Sequence, residues 1–75
     1  MRIERLITMA NEIAAFFAGA ETESEAPKAA AYHLERFWTP AMRRELIAYL
    51  RRDGSQLSPV AAQAATRLAE EATGH

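Results

Sequence analysis

No cysteine occurs in this chain of 75 residues. That excludes a disulfide staple, every thiolate metal site and thiol catalysis. Histidine is scarce too, with only His33 and the terminal His75, so a structural metal is not expected. The three glycines are isolated, which leaves no glycine-rich loop to cradle a phosphate. No apolar run approaches the roughly 20 residues that span a bilayer. The start Met1-Arg2-Ile3-Glu4-Arg5 lacks the uninterrupted apolar segment of a secretory signal. A net charge of −1 supplies no field that draws the chain to nucleic acid or anionic lipid. The expected location is cytoplasmic, with neither a nucleic acid nor a membrane as partner.

Apolar residues make up 49% of the chain, but 17 of them are alanine, which leaves 20 larger apolar side chains. A chain this short buries only about 60% of the surface it exposes when unfolded. Small folds of this kind lean on a disulfide, a metal or a partner. Here a partner is the support that remains.

The spacing of apolar residues predicts an all-α fold, a small bundle of three to four short helices forming a single domain over residues 1–75. Helices are expected at about 2–18, 26–38, 40–53 and 59–72, with an acidic loop at 20–25. Ile3, Leu6, Ile7, Ala10, Ile13, Ala14 and Phe17 recur at spacings of three and four, and Gly19 offers a stop. A second helix begins around Ser24 to Pro27, with Ala30, Ala31, Leu34, Phe37 and Trp38 as its inner face. Thr39-Pro40 ends it and starts a third, since threonine caps well and proline fits the first helical position. That helix presents Met42, Leu46, Ile47, Tyr49 and Leu50 inward and stops at Gly54. Ser58-Pro59 repeats the start signal for a fourth helix, which offers mainly Ala61, Ala64, Ala65 and Leu68. Alanine brings little transfer energy, so this last helix is expected to be the least secure.

Several residues carry more than the core requires. Met9 and Phe16 lie seven apart on the first helix, a second apolar stripe suited to a partner. Phe37 and Trp38 are adjacent, about 100° apart on a helix, so one ring can enter the core while the other meets an interface. Arg43 borders the apolar face of the third helix, where an arginine lays its stem on the core and extends its charge to a carboxylate or phosphate. Arg44 lies beside it; with Arg51 and Arg52 it also reads as a solvated face. Charge is unevenly spread, with net −3 over residues 20–35 and net +4 over 36–52. No serine has a histidine credibly beside it, so a nucleophile with its base is not assembled and catalysis by this chain is not expected.

Two stretches carry a family likeness. Met9-Ala10-Asn11-Glu12-Ile13-Ala14-Ala15-Phe16-Phe17, followed by His33-Leu34-Glu35-Arg36-Phe37-Trp38-Thr39-Pro40-Ala41-Met42-Arg43, resembles the delta subunit of the NAD-dependent, molybdenum-containing formate dehydrogenases. Leu57-Ser58-Pro59 resembles the family's lead into its last helix, and the likeness spans about residues 4–70. Thr39 stands where the family often has aspartate, an equivalent cap, and Glu12 stands where glutamine is common.

The resemblance implies a subunit with no cofactor, no metal and no catalytic residues of its own. By that likeness it associates with the large catalytic subunit, and through it with the other subunits. The assembled complex oxidises formate to carbon dioxide using molybdenum bis(guanine dinucleotide), iron–sulfur clusters, FMN and NAD. The delta subunit then supports assembly, stability or cofactor insertion. The resemblance does not separate interface from core; position on the helix faces does, placing Met9, Phe16, His33, Trp38, Arg43 and Arg44 at the partner interface and Ile13, Phe17, Leu34, Phe37, Leu46 and Leu50 in the core. Two alternatives stand beside this. One is a self-associating helical module, a homodimer in isolation; the other is a helix-turn-helix DNA binder using the third helix.

Overall fold

The computed structural model describes residues 2–73; Met1, Gly74 and the terminal His75 lie outside the described residues. Four helices succeed one another, α1 (Ile3–Ala20), α2 (Ala26–Phe37), α3 (Pro40–Arg52) and α4 (Pro59–Thr73), and there is no strand among the described residues. The all-α expectation holds.

In α1 the fully or nearly buried positions are Leu6, Ile7, Ala10 and Ala14, steps of one, three and four that keep one face inward. Gly19 does not stop this helix. The helix runs through to Ala20 and ends at Glu21, which is extended (φ −120°, ψ 168°) while its N–H still donates to the Phe17 carbonyl at 2.8 Å.

The hydroxyl that shapes the next turn belongs to Thr22 rather than Ser24. Thr22 Oγ1 accepts from the Glu25 N–H at 3.3 Å, and the Thr22 carbonyl accepts from Glu25 and Ala26. Pro27 then sits in the first turn of α2, where its missing N–H costs nothing.

Between α2 and α3 the chain turns on local chemistry. Trp38 is extended at ψ 147°, as is Thr39 at ψ 157°, the geometry imposed on a residue before proline. Thr39 Oγ1 accepts from the Met42 N–H at 3.2 Å and caps α3. The end of α3 is a left-handed residue, Gly54 at φ +71°, whose N–H donates to the Tyr49 carbonyl at 3.1 Å. Ser58 Oγ accepts from the Ala61 N–H at 3.2 Å and opens α4.

The core draws one fully buried leucine from each of three helices, Leu6 from α1, Leu34 from α2 and Leu46 from α3. From α4 it takes Ala61, Ala64, Ala65, Leu68 and Ala69. Expected as the least secure element, α4 instead packs against all three others and meets α2 most extensively. Alanines on both faces let these two helices approach closely, so dispersion across a dense contact replaces the transfer energy of larger side chains.

Two residues of the α2–α3 corner sit opposite to expectation. Trp38, assigned to an interface, is 5% exposed and belongs to the core, whereas Phe37, assigned to the core, is 68% exposed. The helical rotation that separates adjacent residues stops at Phe37. Trp38 has already left helical geometry, so its ring folds back over the core and Phe37 is left outside. Ile13, Phe17 and Leu50, also expected in the core, pack on its margin as partly buried side chains.

Candidate functional site

Four rings form a continuous ridge across α1 and α2. Phe16 and Phe17 meet edge to face, centroids 5.1 Å apart and planes at 83°. Phe17 leans towards α2 and reaches the His33 ring at 5.9 Å. One helical turn further along α2, Phe37 lies 4.7 Å from His33. The outer members of the ridge are open, Phe16 at 67% and Phe37 at 68% exposure, while Phe17 and His33 are half-buried between them. Beside the ridge runs a groove of about 250 Å³ lined by Glu12, Ile13, Phe16, Phe17 and His33. The lining is almost wholly apolar, and Glu12 is its one acidic residue. Exposed aromatics clustered in this way mark a binding surface more often than an enzyme pocket.

The other residues assigned to an interface fare differently. Met9 is partly buried and packs against the core. Arg43 is turned inward: its Nη1 donates to the carbonyls of Glu35 at 2.8 Å and Trp38 at 2.7 Å. These carbonyls lie at the C-terminal end of α2, where the helix leaves acceptors without intrahelical donors. Arg43 thus joins α3 to α2, and the charge expected to reach a partner is engaged within the fold. Arg44 is exposed and lines, with Glu35, Pro40, Arg43, Ile47 and Leu68 among others, a wider open groove of about 360 Å³ between α3 and the end of α4. Of the remaining arginines, Arg36 lies over the Tyr32 ring and donates to its hydroxyl at 3.0 Å, and Arg52 lies over the Tyr49 ring.

Asn11 belongs to the first of the two family-like stretches, but apolar spacing gives it no part in the fold. Its Nδ2 donates to the Gln56 carbonyl at 2.9 Å, and its Oδ1 accepts from the Ser58 N–H at 2.9 Å. One amide therefore fastens the α3–α4 loop to α1. The available signal was an asparagine in mid-helix, a weak helix former among apolar neighbours. The same loop is held from α3 by Tyr49, whose hydroxyl accepts from the Gln56 N–H at 3.0 Å.

Among the described residues no group of three His, Cys, Asp or Glu side chains is placed to hold a metal ion. Nor is any of these helices long and apolar enough to cross a membrane.

Fold and surface together define a small four-helix domain whose candidate site is an exposed aromatic face rather than an enclosed pocket. Residues 5–65 match the family model of the NADH-dependent formate dehydrogenase delta subunit FdsD, and the chain belongs to that family. The matched span contains both stretches that carried the resemblance, from Met9 to Phe17 and from His33 to Arg43. No curated protein and no solved structure matches the chain.

Proposed function

We propose that this chain is a non-catalytic accessory subunit of an NAD-dependent formate dehydrogenase, and that it binds the large molybdenum-bearing subunit through the aromatic ridge of α1 and α2. Membership of the delta-subunit family supports the complex. The observation that carries the surface is the pair Phe16 and Phe37, each about two-thirds exposed on either side of half-buried Phe17 and His33. Covering such rings removes apolar area from water at about 25 cal/mol per Å², and buried aromatics are leading contributors to interface energy.

On this reading the complex oxidises formate to carbon dioxide and reduces NAD, while this chain supports its assembly, stability or loading with cofactor. The molybdenum bis(guanine dinucleotide) centre, iron–sulfur clusters, FMN and NAD reside in the other subunits. A chain without cysteine cannot furnish thiolates to a cluster, and no chemical step is assigned to its residues. The DNA-binding alternative has Arg44 and Arg51 as the exposed pair of α3, while Arg43 is held by main-chain carbonyls of α2.

The test is the double variant Phe16→Ala/Phe37→Ala. Both rings are exposed, so its helix content and unfolding midpoint should stay near those of the parent chain. Capture of the purified large subunit should weaken by about a hundredfold, as expected for the loss of two anchors at roughly 1–2 kcal/mol each. Unchanged capture would remove the ridge from the interface.

A further inference from the structure

The ridge is flanked by acid along α1. Glu12 precedes Phe16 by four residues on α1, one helical turn, and Glu21 follows the helix in extended backbone. Both residues are exposed, and neither carboxylate has a hydrogen bond or ion pair among the described residues. Glu12 lines the groove itself.

The end of α1, two turns beyond Glu12, is negative as well. Its last turn holds no basic residue, so the partial negative charge of the helix C-terminus is uncompensated. Glu23 comes next in the loop, and the one lysine, Lys28, is taken by Glu25 at 3.9 Å. The nearest basic residue on α1 is Arg5, two turns from Glu12 and about 10 Å along the axis, which is about a Debye length at 0.1 M salt. Across the groove α2 offers His33 within the ring stack, and Arg36 is drawn to Tyr32.

Resting on the binding surface proposed above, we infer its occupant: a segment of the large subunit that seats one bulky apolar side chain in the groove and carries a lysine or arginine beside it. The apolar side chain packs between Ile13, Phe16 and Phe17, and the cation pairs with Glu12 beside the groove. An apolar anchor in a pocket with a charge pair at its rim is a recurrent way for one chain to hold a segment of another. The rim charge also guides the approach of the partner. A glutamine at position 12 would accept a hydrogen bond from the same cation without forming the ion pair.

The test titrates labelled chain onto a formate dehydrogenase preparation lacking its delta subunit, at two or more salt concentrations. Glu12→Lys should bind about tenfold more weakly, chiefly through slower association, and with a shallower salt dependence. Glu12→Gln should show a smaller loss. Glu45→Lys makes the same change of charge on exposed α3 and should bind as the parent does. Glu12 is exposed and makes no internal contact through its carboxylate, so circular dichroism of both position-12 variants should match the parent.

Parental binding by Glu12→Lys would overturn the inference. If Phe16→Ala/Phe37→Ala still abolished binding in that case, the ridge would stand as the interface without its basic partner. Equal losses for Glu12→Lys and Glu45→Lys would reduce the effect to net charge and overturn it as well. Sedimentation of the isolated chain gives the last arm: a dimer that Glu12→Lys dissociates would make the occupant a second copy instead.

Discussion

Asn11 sits on the first helix, yet its amide is spent on a loop 45 residues away in sequence. Both halves of that amide are engaged, one donating to Gln56 and one accepting from Ser58. Asn11→Ala leaves a part-buried N–H of Ser58 without its partner and should cost about 1–3 kcal/mol, read as a lowered urea midpoint with an unchanged slope. Leucine at this site would fill the space without restoring either bond. Arg43 is a related case. From the sequence it is a border arginine free to reach outwards, and in the structure two main-chain carbonyls of the α2 end hold it. Main-chain acceptors leave no mark in a sequence, which is why residue spacing alone points Arg43 towards a partner. The exchange of Phe37 and Trp38 has another cause: periodicity locates a helix to within a residue or two, and here one residue decides which ring is buried.

At the scale of the element, starts were more legible than stops. Thr39-Pro40 and Ser58-Pro59 pair a hydroxyl acceptor with a residue suited to the first turn, and both caps form. A helix end depends on the backbone conformation of the residues beyond it, which glycine permits without imposing. Gly19 and Gly54 look alike in sequence, but Gly19 is helical with open space where a Cβ would stand, and Gly54 is left-handed with the Leu50 carbonyl oxygen 3.2 Å from that point. One substitution should therefore have opposite outcomes at the two sites. Gly19→Ala should stabilise the chain by about 0.5–1 kcal/mol, because alanine loses less backbone entropy in a helix. Gly54→Ala should destabilise it by about 1 kcal/mol or more, since φ +71° is strained for any residue with a Cβ. Thermal unfolding of the two variants beside the parent decides both.

For the molecule as a whole, α4 is where composition misleads. Its inner face is mostly alanine, which suggests a loosely held helix, but it touches α1, α2 and α3. A small side chain contributes little alone and much by allowing three neighbours to close around it. Ala64 is fully buried in that arrangement. Ala64→Leu should therefore force the helices apart at a cost of about 1–3 kcal/mol. Ala18→Leu, on the exposed side of α1, should change stability by less than about 0.5 kcal/mol. Calorimetry on the pair separates overpacking from any general effect of leucine. Surface ion pairs add little to this account, since Arg2–Glu4 and Lys28–Glu25 are both well exposed.

The amino-acid sequence by itself determined the helical class, two of the caps and the family, because these rest on spacing and on chemistry between near neighbours. Tertiary structure alone decided which ring of the α2–α3 corner is buried, where Arg43 sends its charge, what Asn11 fastens and how α4 is held. It also gathered Phe16, Phe17, His33 and Phe37 into one surface. Those outcomes depend on the backbone path at a helix end or on which groups meet across the fold. A linear pattern records which face a residue occupies, but contains nothing about what stands opposite.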